Sequence, residues 1–190
     1  MENLDLDLQY QDTFKLKNTM KKQLLFAAFS LIFSFSAICQ SLTINSDEAL
    51  VDFNFVSEEA IGTVKGIKAT IDFDPSNLSI ASIKGTADVT TLSTNNKMRD
   101  NHLQKPDMFN AEKYPTMEFK SSSISKTEKG YEMKGLMKIK GTEKEVIVNF
   151  TYTDKTFVGR TIIYSNDFDV FSRKKREDSK VLVKITIPVL

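Results

Sequence analysis

The residues best suited to chemistry are Arg99, Asp100 and His102, which stand close together and include the only histidine of the chain. A histidine beside a carboxylate can act as a general base that the acid orients, and Asp100 and Asp107 are the available acids. Serine and threonine residues such as Ser93 and Thr94 are candidate nucleophiles. However, the sequence has no G-x-S-x-G turn to expose a nucleophile, and side chains two positions apart face away from each other on a helix. The sequence therefore predicts a protein that is not an enzyme.

The same stretch is a poor basis for a metal site. Protein zinc sites use several histidine or cysteine ligands, whereas this chain has one of each. His102 with Asp100, Asp107 and Glu112 offers a weak cation site at most. We therefore predict no metal and no other cofactor.

The balance of charge gives no reason to expect a nucleic-acid partner. The 26 basic and 25 acidic residues leave a formal net charge of +1, and domains that bind DNA or RNA usually carry a basic excess. The largest basic run, 172–177, ends in an acid and is expected to be a solvated loop.

The first 40 residues differ from the rest of the chain. Residues 20–39 begin with a methionine and two lysines, continue with apolar residues and end in a small-x-small pattern, which is typical of a secretory signal peptide. The apolar stretch is short for a membrane span. We expect a bacterial protein that is periplasmic or secreted, with residues 1–19 as an unstructured upstream extension, Met20 as the translation start and a single domain over 40–190. A retained membrane anchor and a lipoprotein acylated at Cys39 are the alternatives.

The remaining chain alternates apolar and polar residues with the period of a half-buried strand. In the first segment Val51, Phe53 and Phe55 lie on one face, with Asp52 and Asn54 on the other. Eight such segments separated by turns predict an all-β fold, an antiparallel barrel or sandwich. The segments are 49–55, 66–74, 79–92, 116–125, 130–141, 145–152, 157–164 and 180–189.

One long segment without strand character, 93–115, interrupts this plan. Ser93 and Thr94 are candidate caps for a short helix that runs through Leu103. Long loops on a compact sheet are usually functional lids or caps. We expect this segment to form a short helical cap over one end of the barrel.

The chain resembles the YceI-like family, which consists of periplasmic, lipocalin-like proteins of polyisoprenoid-binding type. The resemblance rests on "TVKGIKATIDFDP" at 63–75, on "RDNHL" through "YPTMEF" within 92–119, on "YEMKGLMKIKGTEKEVIV" at 131–148 and on "SNDFDV" at 165–170. One departure is Asp169, which stands where the family usually has glycine. The resemblance implies an antiparallel eight-stranded, lipocalin-like barrel with a hydrophobic interior that holds a long apolar chain.

Two interpretations of the interior remain open, a solid core and a cavity for an apolar or amphiphilic, isoprenoid-like molecule. In the second, the protein is an exported carrier, storage or stress-related protein; the alternative is a packed-shut barrel that acts as a protein-interaction module. The oligomeric state stays open, a dimer included. The expected lining residues are Phe53, Phe55, Ile71, Phe73, Phe119, Met133 and Phe150.

The cap segment has two candidate roles. In the first, its residues only build and close the end of the barrel. In the second, Arg99 and His102 also meet a polar or phosphate head group at the mouth. The expected residues of the mouth and cap are Arg99, Asp100, His102, Leu103, Phe109 and Tyr114.

Overall fold

Ten strands form one antiparallel sheet in the computed structural model, which describes residues 41–190. The predicted extension 1–19, the predicted signal peptide 20–39 and Cys39 lie outside the described residues. The strands are β1 (Ser41–Leu42), β2 (Leu50–Phe55), β3 (Ala60–Val64), β4 (Lys68–Asp72), β5 (Ser82–Asp88), β6 (Thr116–Thr127), β7 (Gly130–Ile139), β8 (Thr142–Thr153), β9 (Thr156–Tyr164) and β10 (Lys180–Pro188).

The strand order is β1-β4-β5-β6-β7-β8-β9-β10-β2-β3. The all-β antiparallel prediction is confirmed, but the count of eight strands is wrong because β1 and β3 were missed. β1 is only two residues long, too short to show a period. In β3 the apolar pattern misleads, since the large Ile61 is 67% exposed whereas Gly62 is buried.

The sheet curls, so that the residues after β1 reach the end of β10. The Leu190 N–H donates to the Thr43 carbonyl at 2.9 Å, and the Asn45 N–H donates to the Pro188 carbonyl at 2.8 Å. At that end of the sheet the chain segment 41–45 therefore has β4 on one side and β10 on the other. The curl gives the sheet a concave inner face and a convex outer face.

Two glycines allow phenylalanine rings to lie flat on the concave face. A Cβ atom on Gly62 would stand 2.4 Å from the ring of Phe53, its cross-strand partner, and a Cβ on Gly135 would stand 2.5 Å from the ring of Phe119. Real Cβ atoms do not approach so closely. Gly135 also lies opposite Ser121, where a bulge shifts the register between β6 and β7, and bulges bend the strand that contains them.

The helix of the predicted cap segment is α1 (Lys97–Leu103), and its predicted end at Leu103 is confirmed. The predicted caps, Ser93 and Thr94, are wrong. The cap is Asn96, whose side-chain oxygen accepts hydrogen bonds from the N–H groups of Met98 and Arg99 at 3.1 Å. Within residues 41–190 no helix has both the length and the apolar character needed to cross a membrane.

We expect Gly135→Ala to lower the free energy of unfolding by about 1–3 kcal/mol, because the new methyl group would meet both the Phe119 ring and the Lys120 carbonyl, 2.6 Å away. Gly85→Ala is the matched control in β5. There the nearest atom to an added Cβ lies at 3.4 Å, an ordinary contact, so the change should stay within about 0.5 kcal/mol. Urea unfolding monitored by circular dichroism measures both. Equal losses in the two variants would contradict the close approach of the Phe119 ring to Gly135.

Candidate functional site

A cavity of about 360 Å³ lies on the concave side of the sheet. Its wall consists almost wholly of apolar side chains. Along β2 and β4 to β10 they occupy every second position, because successive side chains of a strand point to opposite faces of the sheet. Examples from neighbouring strands are Ile71, Met133, Val148, Phe157 and Ile185. A cavity of this composition suits an apolar ligand or part of one.

The structure brings most of the predicted lining residues together. Phe73 is the exception, because it is buried one layer behind the cavity wall, against Phe150 and Phe157. The six predicted residues that do line the cavity are Phe53, Phe55, Ile71, Phe119, Met133 and Phe150. Their contact with a ligand stays a prediction.

Sequence reasoning missed other lining residues, although the signal was available. These are Val51, Ile83, Val148 and Ile185, which occupy inward positions of strands that the alternation predicts, whereas the predicted set consists mainly of aromatic residues. Phe168 was not predicted, because it lies in a 3-10 turn, Ser165–Phe168, where no strand period applies.

The predicted cap residues divide into two groups. Arg99, His102, Leu103 and Phe109 line the cavity at its mouth. Tyr114 does not; its ring packs on the turn between β7 and β8, where a Cβ on Gly141 would stand 3.0 Å from it. Asp100 does not line the cavity either, and its contacts explain why.

The Asp100 carboxylate fixes the start of the cap segment. Its Oδ1 accepts hydrogen bonds from the Thr94 N–H at 2.7 Å and from the Thr94 hydroxyl at 2.6 Å, and Oδ2 accepts one from the Ser93 hydroxyl at 3.3 Å. The Arg99 Nε–H donates to the same Thr94 hydroxyl oxygen at 2.8 Å. Desolvation raises the pKa of Asp100, but the hydrogen bonds from Thr94 and Ser93 and the charge of Arg99 outweigh it, and the pKa is lowered overall.

His102 pairs with Asp107 rather than with Asp100. Its Nε2 lies 3.1 Å from the Asp107 carboxylate, in a pair whose side chains are 59% and 67% exposed. The hydrogen bond with His102 is the main cause that lowers the pKa of Asp107. The hydroxyls of Ser93 and Thr94 are both directed to Asp100 and not to this imidazole. The geometry therefore offers a local hydrogen-bonded pair, and neither Ser93 nor Thr94 forms a nucleophile–base pair with His102.

Across residues 41–190 no three histidine, cysteine, aspartate or glutamate side chains are grouped closely enough to hold a metal ion. His102 and Asp107 stand as a pair, without a third ligand.

A second segment, 165–179, forms the other side of the mouth. Asp169 follows its first turn with a φ of 54°, in the left-handed region that glycine adopts without strain. Arg173 pairs with Glu58 and stacks on the Phe171 ring at 3.9 Å. The ion pair attaches this segment to the turn after β2, and the cation–π contact orders the Arg173 side chain within the segment.

Lys140 joins the two sides of the mouth. Its ammonium donates to the Asp169 carbonyl at 2.9 Å and to the Asp107 carbonyl at 3.4 Å. The turn between β7 and β8 thereby positions the cap segment and the segment 165–179 relative to the cavity.

The chain matches known proteins along most of its described length. A family model described as the YceI-like domain matches residues 42–189. Protein YceI of Escherichia coli is 32% identical over 134 residues, which cover 67% of this chain and 70% of that protein. A UPF0312 protein of Photorhabdus laumondii is 35% identical over 88 residues, so the match spans 46% of each protein.

Solved structures share the fold. BcnA of Burkholderia cenocepacia superimposes with a TM-score of 0.64 at 23% identity, covering 76% of this chain and 98% of that one. The YCEI protein of Campylobacter jejuni gives a TM-score of 0.59 at 25% identity, covering 69% and 85%.

We expect Asp100→Ala to lower the free energy of unfolding at neutral pH by about 2 kcal/mol, because the buried Thr94 loses a charged acceptor. His102→Ala is the control and should cost less than about 1 kcal/mol, because the contact with Asp107 that it removes is exposed. Urea unfolding of both variants measures the difference. Equal costs at the two positions would contradict a structural role for Asp100.

The pKa of Asp100 also predicts a pH dependence. A carboxyl whose pKa is lower in the folded than in the unfolded chain stabilises the fold above its unfolded pKa and loses this effect as the pH falls through its folded pKa. The stability difference between the wild type and Asp100→Ala should therefore shrink in acid. A stability difference that grows as the pH falls would show that the pKa of Asp100 is not lowered in the folded chain.

Proposed function

Because the chain belongs to the YceI-like family, we propose that it is an exported, non-enzymatic binding protein that holds an amphiphilic or isoprenoid-like lipid inside its curled sheet. The observation that carries the proposal is the cavity of about 360 Å³ with an almost wholly apolar wall. Burial of apolar surface contributes about 25 cal/mol per Å², so a flexible hydrocarbon chain needs only a continuous apolar space. The isoprenoid part of the proposal rests on the family.

The distribution of charge along the cavity supports an amphiphilic ligand. The ionisable residues of its lining are Glu58, Arg99, His102 and Glu118. The first three lie in the turn and the helix that form the mouth, whereas the exposed Glu118 side chain pairs with Lys138. The opposite end is closed by aromatic side chains. In this proposal the polar end of the ligand stays at the mouth beside Arg99 and His102, and the apolar chain lies inside. The protein would then act as a carrier or store, or in a stress response.

The alternative function is a protein-interaction module, and one observation favours it. Ile162 and Leu182 are cross-strand partners on the convex face, and Ile147 lies on the strand next to Ile162; all three are 40% exposed or more. Contiguous exposed apolar side chains often mark interaction sites. The cavity argues against the packed-shut form of this alternative, because the interior is not filled by side chains.

We expect Met133→Trp to weaken binding of a long all-trans prenyl alcohol by about tenfold or more, because the indole fills space that the ligand would occupy. Lys134→Trp is the matched control, since the neighbouring side chain of the same strand faces outward and is exposed. Native mass spectrometry of wild type and variants measures the bound fraction, and thermal unfolding checks that each variant is folded.

The outcomes separate the two functions. A lipid carrier loses its ligand in Met133→Trp and keeps it in Lys134→Trp, whereas an interaction module keeps its partner in Met133→Trp. A wild-type protein that is purified without any bound apolar molecule, and that binds no prenyl alcohol, would overturn the proposed function.

A further inference from the structure

We propose that five aromatic side chains form a fixed end wall of the cavity and set the longest apolar chain that the protein holds in full. This inference rests on the proposed function and adds a determinant of specificity to it. The wall consists of Phe73, Tyr131, Phe150, Tyr152 and Phe157, which meet at the end of the cavity away from the mouth.

Phe73 is the centre of the wall. It directly follows β4 and is 5% exposed. Its ring meets the other four rings edge to face, with centroids at 5.1 Å from Tyr131, 5.7 Å from Phe150, 5.6 Å from Tyr152 and 5.3 Å from Phe157. Edge-to-face contact is a favoured geometry for aromatic pairs. A ligand that displaced Phe73 would break four such contacts at once.

The sheet register holds the other four rings in place. Tyr131 and Phe150 are cross-strand partners on β7 and β8, and their rings stack at 5.0 Å. Tyr152 and Phe157 are partners on β8 and β9, and their rings stack at 4.3 Å. Backbone hydrogen bonds of three neighbouring strands thus fix the positions of the rings, and a close-packed cluster of this kind does not yield continuously to a ligand.

The wall is two side chains thick. Phe150 and Phe157 line the cavity, whereas Phe73, Tyr131 and Tyr152 do not and therefore stand behind them. Loss of the Phe73 ring would leave free space directly behind the two lining rings. Phe73 contacts both lining rings, so one substitution at this position can deepen the cavity.

The mouth is built differently, and this difference makes the wall the limiting end. One side of the mouth is the short helix α1, and the other is the segment 165–179, joined to its neighbours by exposed polar contacts such as those of Lys140. A chain that is too long for the cavity therefore extends outward through the mouth into water. Only the part inside the cavity adds to the affinity.

These features predict a break in the dependence of affinity on chain length. Each methylene group buried in the cavity should raise the affinity roughly fourfold, and groups beyond the capacity of the cavity should add little. The measurement is the dissociation constant of a series of straight-chain and prenyl alcohols of increasing length, obtained by displacement of a bound polarity-sensitive dye.

Two variants should move the break in opposite directions. Phe73→Leu opens space behind Phe150 and Phe157, so the break should move to longer chains while the affinity for short chains stays the same. Met133→Trp adds bulk one inward position closer to the mouth than the Tyr131–Phe150 pair, so the break should move to shorter chains. Val89→Ala is the control for lost stability, since Val89 is 2% exposed and does not line the cavity; its break should stay where it is in the wild type.

The inference and the proposed function fail in different ways. If the wild type binds no member of the series, the proposed function is wrong. If the wild type binds with affinity that rises without a break, or if the break keeps its position in both Phe73→Leu and Met133→Trp, the chain is bound but the aromatic wall does not limit its length. Should Phe73→Leu fail to fold, Tyr152→Leu takes its place and should also move the break to longer chains, because it removes another ring that stands behind Phe157.

Discussion

The register of the antiparallel sheet is the constraint on which the cavity depends. Side chains alternate with a period of two, so a slip of one residue would move every inward phenylalanine to the convex face. The observed pairing places Phe53 over Gly62 and Phe119 beside Gly135, where only a missing Cβ lets the rings lie close to the neighbouring strand. The same register stacks Tyr131 on Phe150. Curl, cavity and end wall all follow from one set of backbone pairings.

The two ends of the cavity have different physical characters. The aromatic end is dry, held by ring contacts and by the hydrogen bonds of neighbouring strands. The mouth is formed by segments outside the sheet and is held by polar contacts, among them those of Asp100, Lys140 and Arg173. An amphiphile has the same asymmetry, with one end that is costly to expose to water and another that is costly to bury.

The residues with the most reactive side chains are engaged in structural contacts. Asp100 satisfies the buried Thr94, and His102 is paired with Asp107 at the surface. In the sequence Asp100 and His102 are nearly adjacent, which suggests a pair, yet the helix directs them to different partners. The contacts of Asp100 and His102 thus help to fix the cap segment over the cavity.

The sequence by itself determined the all-β antiparallel fold, the end of the helix at Leu103, the family and most of the inward phenylalanines, because these are local patterns or motifs. Only the tertiary structure decided that Gly62 faces inward while Ile61 faces water, that the helix begins after Asn96, and that Phe73 stands behind the cavity wall. Each of these depends on which strand lies opposite and how sharply the sheet curls. Such contacts join residues that are far apart in the chain, so the alternation of side chains along a single strand does not predict them.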